Sequence, residues 1–110
     1  MIEGLWIVQY EGVHGGDGGV IVFVNGQLLG GDNGFVYTGT YQSNGKNLSA
    51  RVLVRNFAPN ITNVMGIKGD FDLEVQGAID GSVIKGSANL INQDGPGMVL
   101  KLSKVKALAP

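Results

Sequence analysis

Short runs of β-branched and aromatic residues, separated by glycine-rich turns, repeat along the whole chain. Such runs are typical of β-strands, and no window of ten or more residues has helical spacing. We predict eight strands, at residues 5–10, 19–24, 27–29, 35–42, 47–57, 70–78, 82–92 and 98–105. One short helical turn is predicted at residues 59–65, because Pro59 suits a first helical turn and Gly66 can follow its end.

The connections between these runs carry the residues of tight hairpins, at Asn25-Gly26, Asn44-Gly45 and Asp80-Gly81. Neighbouring strands are therefore expected to be sequential and antiparallel. Eight such strands most economically close into an all-β up-and-down barrel, because closure removes exposed strand edges. The alternative is a two-sheet sandwich. With 110 residues, the chain is expected to form a single domain over residues 1–110.

Alternation along the strands separates an inner face from an outer one. From residue 47 to 55 it places Leu48, Ala50, Val52 and Val54 inside. The first two strands are apolar on both faces, which predicts a covered outer surface and a homodimer. The residues assigned to this dimer or partner interface are Leu5, Ile7, Ile21 and Phe23. The alternative is that residues 59–65 or the C-terminal tail cover these side chains.

Composition and charge exclude several classes of protein. The chain has no cysteine, which excludes disulfides and thiolate metal sites. A net charge of −1 and a pI of about 5.6 provide no basic surface for direct nucleic-acid binding. The first apolar run is too short for a signal peptide, and none approaches a membrane span. We therefore expect a cytoplasmic protein that contacts neither membrane nor nucleic acid.

Candidate catalytic chemistry is sparse. His14 is the only histidine, and the chain contains no nucleophile elbow or paired nucleophile and base. Carboxylates at Asp70, Asp72 and Glu74 alternate along one strand, where they diverge rather than surround a cation. We assign them to a solvated face, paired across strands with Lys or Arg. No catalytic residue, cofactor or metal site is predicted.

A glycine-rich corner at Gly30-Gly31-Asp32 could hold a phosphate only if a helix followed it. A strand follows instead, so we interpret it as a structural turn, with Asp32 accepting backbone N–H bonds in an Asx-type turn.

The barrel interior is expected either to be filled by side chains or to hold a small apolar ligand. Four aromatic residues are candidates to line such a cavity, and the segment at residues 59–65 would then be either a packed plug or a lid. Small inward residues add space that the sequence does not account for: Gly39, Ala50, Gly86 and Ala88. The candidate lining residues are Trp6, Tyr10, Tyr37 and Tyr41.

A series of motifs in the first half of the chain resembles the GrlR family, regulators of bacterial type III secretion. The motifs, in order, are Gly4-Leu5-Trp6, Gly18-Gly19-Val20-Ile21, Asn25-Gly26, Gly30-Gly31-Asp32 and Tyr37-Thr38-Gly39. The resemblance implies a lipocalin-like β-barrel that dimerises, does not bind DNA and holds a helix-turn-helix transcriptional activator inactive by direct contact. It also implies an acidic hairpin for that contact, whereas residues 42–47 read QSNGKN here. The leading hypothesis is a non-enzymatic regulator of this kind, and the alternative is a lipocalin-like binder of a small apolar ligand.

Overall fold

The computed structural model describes residues 2–12, 15–58, 60–61, 66–67, 69–92, 94–95 and 97–109. Each strand pairs in antiparallel fashion with its neighbour in sequence, and the last strand pairs with the first to close a barrel. The strands are β1 (Gly4–Gly12), β2 (Gly15–Val24), β3 (Gln27–Gly31), β4 (Phe35–Asn44), β5 (Asn47–Asn56), β6 (Phe71–Asp80), β7 (Val83–Leu90) and β8 (Met98–Ala107).

The predicted all-β architecture is confirmed, including eight strands, antiparallel order and closure, and it replaces the sandwich alternative. Most of the predicted helical turn at residues 59–65 lies outside the described residues. The part of the chain that the structure describes contains no helix, and hence none long and apolar enough to cross a membrane.

All three predicted hairpins are present, but two of them turn one residue later than the sequence suggests. At β2–β3, Asn25 and Gly26 are the turn residues, and both have the positive φ that a type I′ turn requires. At β4–β5 the last pair is Asn44 with Asn47, so Gly45 takes the first turn position, with φ of 61°. Asp80 likewise ends β6, and Gly81 begins that turn. Glycine is favoured at this first position because it tolerates a positive φ.

The interior follows the predicted alternation. On β5 the four inward residues Leu48, Ala50, Val52 and Val54 are all buried, while Arg51 between them is exposed. The other strands contribute inward residues in the same way. The barrel is therefore lined almost entirely by apolar side chains, and hydrophobic burial is its main source of stability.

One side of the interior is densely filled around Trp6, which is fully buried. The indole Nε1–H of Trp6 donates to the carbonyl oxygen of Ile2 at 2.8 Å. Its ring lies edge-on to Phe23 at 6.1 Å, and Phe23 meets Tyr41 at 4.9 Å. The ammonium of Lys104 lies 5.7 Å from the centre of the indole ring. The apolar surface of Trp6 is therefore buried, and its N–H has a hydrogen-bond acceptor.

Two of the small inward residues mark places where neighbouring backbones approach closely. A Cβ on Gly39 would lie 2.0 Å from the carbonyl oxygen of Arg51, and one on Gly86 would lie 2.1 Å from that of Gln76. The backbone of the adjacent strand thus occupies the position that a Cβ would take at these glycines, and Gly86 also borders the interior cavity described below. Only glycine allows such an approach, which strong curvature of a small barrel demands.

The connection between β5 and β6 packs against the end of the barrel where β3 turns into β4. The N–H of Phe57 donates to the carbonyl oxygen of Gly34 at 3.0 Å, and Ile61 packs directly over Gly34. Ile61 and Ile67 both contact the core. The described part of this connection therefore behaves as a packed segment.

Candidate functional site

The barrel contains an interior cavity of about 80 Å³ to which all eight strands contribute. Its lining is apolar except at the end of the barrel where β3 turns into β4, where Tyr10, Asp32 and Tyr37 reach it. Gln76 also borders the cavity, but its amide is directed to the carboxylate of Glu74 on the exposed face, at 3.5 Å. The cavity is thus an apolar chamber with one polar end.

A cluster of three oxygen-bearing side chains forms this polar end. Tyr10 on β1 and Tyr37 on β4 both donate their hydroxyl protons to Oδ2 of Asp32, which lies in the turn between β3 and β4. The two hydroxyl oxygens lie 3.2 Å apart. Because β1 and β4 are separated by β2 and β3 in the barrel, the carboxylate joins non-neighbouring strands through their side chains. We call these three residues the Tyr-Asp-Tyr cluster.

The same carboxylate also shapes its own turn. Oδ1 of Asp32 accepts the N–H groups of Gly34 and Phe35, each at 2.9 Å, and the N–H of Asp32 donates to the carbonyl oxygen of Phe35 at 3.0 Å. The predicted Asx-type turn is therefore confirmed for Asp32. Gly30 and Gly31, assigned to the turn as well, belong instead to the end of β3. A Cβ on Gly30 would lie 2.1 Å from the carbonyl oxygen of Val20, which explains the small residue there.

Burial and the neighbouring carboxylate act together on the two tyrosines. Burial raises the pKa of Tyr37 far above its ordinary value, and its hydrogen bond to Asp32 raises it further. The pKa of Tyr10 is raised for the same two reasons, in the same order. A phenolate would be poorly solvated here and would face the charge of Asp32. Both hydroxyls therefore remain protonated throughout the physiological pH range.

The four aromatic residues predicted to line a cavity divide into two pairs. Tyr10 and Tyr37 border it, whereas Trp6 and Tyr41 do not and instead pack against Phe23, whose ring separates them from it. Tyr10 and Tyr37 are among the predicted lining residues, whereas nothing in the sequence places Asp32 beside them. That meeting depends on barrel closure and on the conformation of one turn, for which the chain offers no local pattern.

The outer surface of β1 to β3 carries a continuous group of apolar side chains. Ile7 lies directly opposite Val20, and Leu5 lies opposite Val22, which in turn lies opposite Leu29. Ile7 is 46% exposed, Val20 48% and Leu29 41%. We call these five residues the outer apolar patch.

Two residues assigned to this surface from the sequence lie elsewhere. The predicted outer position of Ile21 and Phe23 is wrong, because both point into the barrel and are 8% and 0% exposed. The alternation on β2 runs with the opposite phase from the one assumed, so Val20 and Val22 take the outer positions. Leu5 and Ile7 do lie on the outer face, where Leu5 is half-buried.

The carboxylates of β6 face solvent beside arginines of β5. Glu74 lies directly opposite Arg51, and Asp70 forms an exposed ion pair with Arg55 at 3.9 Å. This is the cross-strand arrangement expected for a solvated face. Among the described residues, no group of three histidine or acidic side chains is placed to hold a metal ion. His14 lies outside the described residues.

Comparison with known proteins identifies a family. The model of the family described as "T3SS negative regulator, GrlR" matches residues 1–93, so the matched region ends before β8. A search of curated proteins gives no match. The match covers most of the chain and includes every motif on which the resemblance was based. The chain therefore belongs to the GrlR family of negative regulators of type III secretion.

Proposed function

We propose that this protein is a non-enzymatic regulator of the cytoplasm, which forms a homodimer and restrains a transcriptional activator of type III secretion by direct protein contact. The observation that carries the proposal is the outer apolar patch in a chain of this family. An antiparallel barrel normally presents polar side chains to water, so a run of exposed aliphatic residues across three strands favours a protein interface.

One further feature supports contact with protein rather than with DNA, and a second bears on where that contact lies. The net charge of −1 gives the chain little attraction for a phosphate backbone. The hairpin between β4 and β5, at Asn44, Gly45, Lys46 and Asn47, carries no carboxylate. The proposal therefore assigns the protein contact to the outer apolar patch and not to this hairpin.

The first experiment measures assembly of the full chain by light scattering at micromolar concentration. The wild type is expected to have twice the 11.5 kDa mass of the chain. The double substitution Ile7→Lys and Val20→Lys places two charges on facing positions of the patch and is expected to give the monomer mass. Thr40→Lys with Gln42→Lys adds the same charge to exposed positions of β4 and should leave the dimer intact. A monomeric wild type would contradict the dimer.

The second experiment tests regulation. The tagged wild type is used to capture proteins from the source cells, and a reporter of type III secretion is measured alongside. Capture of a helix-turn-helix activator by the wild type and the β4 control, but not by the patch variant, is the expected result. Equal capture by the patch variant would remove this surface from the activator contact. Failure to recover any transcription factor, together with an unchanged reporter, would contradict the regulatory mechanism.

A further inference from the structure

We propose that the interior cavity is a binding site for a small apolar molecule whose single polar group is a hydrogen-bond donor, an amine or an alcohol rather than a carboxylic acid. The proposal concerns the inside of the barrel and is independent of the regulatory role of its outer surface. It rests on the volume of the cavity and on where the protons of the Tyr-Asp-Tyr cluster lie.

The volume and lining determine the apolar part of the ligand. An engineered protein cavity of roughly 150 Å³ with an apolar lining stays free of water and binds benzene. The present cavity, at about 80 Å³, is about half that size. It therefore suits an aliphatic group of about three or four carbon atoms. Val52, Val75 and Ala88 are among the buried side chains that such a group would contact.

The hydrogen bonds within the cluster determine the polar part. The hydroxyl protons of Tyr10 and Tyr37 are both donated within the cluster, to Asp32 or from one hydroxyl to the other. The backbone N–H groups of Gly34 and Phe35 donate hydrogen bonds to the same carboxylate. The groups that remain available to a ligand at this end of the cavity are oxygen lone pairs of the cluster and the negative charge of the Asp32 carboxylate. A ligand group that donates, above all an ammonium, is attracted here, and a carboxylate is repelled.

The test compares four-carbon probes that share a chain and differ in their polar group: butylamine, butan-1-ol and butyrate. Binding to the full-length protein is followed through methyl resonances of Val52 and Val75 in NMR titrations at neutral pH. Butylamine is expected to bind about tenfold more tightly than butan-1-ol, as a charge-assisted hydrogen bond predicts. Butyrate is expected not to shift the methyl resonances of these interior residues. Equal shifts with butyrate, or none with any probe, would overturn the proposal.

Two sets of variants locate the site. Ala88→Leu adds three carbon atoms to a fully buried, cavity-lining position and should abolish binding of every probe. Its matched control, Ser87→Leu, adds a leucine side chain to the neighbouring residue of β7, whose side chain points to the other face. Should Ala88→Leu fail to fold, Val75→Ile fills part of the same space and should weaken every probe.

The second set tests the donor preference. Asp32→Asn removes the negative charge of the cluster and keeps one acceptor oxygen for the turn, and this variant should lose the preference for butylamine over butan-1-ol. Retention of the full tenfold preference would show that the cluster does not select the polar group.

Discussion

The carboxylate of Asp32 is expected to be among the most important polar groups for the stability of this barrel, and Asp32→Ala tests this directly. The substitution removes the acceptor for two backbone N–H groups and two tyrosine hydroxyls. Losing an aspartate that caps backbone N–H groups costs about 1 kcal/mol, and a hydrogen bond to a charged group contributes about 1.5 kcal/mol or more. With one such contribution for each hydroxyl, the free energy of unfolding should fall by about 4 kcal/mol.

The assay is urea unfolding at one fixed protein concentration, since any dimer makes apparent stability depend on concentration. The single tryptophan, Trp6, is fully buried and reports the transition by its fluorescence. Asp72→Ala is the matched control, because this exposed aspartate of β6 should change stability by no more than about 0.5 kcal/mol. Asp32→Asn keeps one acceptor oxygen for the turn and should cost about half as much as Asp32→Ala.

A double-mutant cycle isolates the part that belongs to the cluster. Tyr37→Phe should cost about 1.5 kcal/mol in the wild type and little in the Asp32→Ala background, which gives a coupling of similar size. A loss of less than about 1 kcal/mol for Asp32→Ala, or a coupling near zero, would refute the structural reasoning.

Three further predictions concern pH, backbone packing and the filled side of the core. Folding raises the pKa of Tyr37. The protonated hydroxyl therefore contributes its full stability below pH 10, the unfolded value, and this contribution is lost progressively as the pH rises above 10 toward the folded value. Stability should therefore fall above pH 10 with a slope that Tyr37→Phe reduces by about 1.4 kcal/mol per pH unit, and an unchanged slope would contradict this. Gly39→Ala should lower the free energy of unfolding by about 3 kcal/mol, because its Cβ would meet the backbone of Arg51, whereas Thr38→Ala on the exposed face should lower it far less. Trp6→Phe should cost about 3 kcal/mol in urea unfolding followed by circular dichroism, and a loss below about 1 kcal/mol would contradict the described packing.

The fold was largely predictable from the sequence because its signals are local. Period-two alternation and the turn residues of three hairpins specify sequential antiparallel strands, and closure follows from the need to pair both edges. The two hairpins that shift by one residue show the limit of this reasoning. Asn44 and Asp80 suit a turn, but strand pairing extends through them and moves glycine to the first turn position.

The interior was less predictable because its arrangement depends on distant segments. On β2, apolar residues at every position from Val20 to Val24 leave the inward phase undefined by polarity, which is why the sequence places Ile21 and Phe23 on the wrong face. The contact between Asp32 and Tyr10 joins residues 22 positions apart in sequence, across a strand that separates them. No periodic pattern encodes such a meeting, and it becomes visible only in the closed barrel.

The pairing of β8 with β1 has a consequence for how the protein is made. Trp6 lies opposite Lys104, and Val8 lies opposite Leu102, so closure joins positions nearly a whole chain apart. During synthesis β1 to β7 emerge before β8, and until β8 is available the edges of β1 and β7 that it covers in the barrel have no partner. Long-range pairing of this kind is slow, because the intervening chain must be ordered before the contacts compensate for its lost entropy. The nascent chain is therefore most exposed to aggregation just before residues 98–107 leave the ribosome.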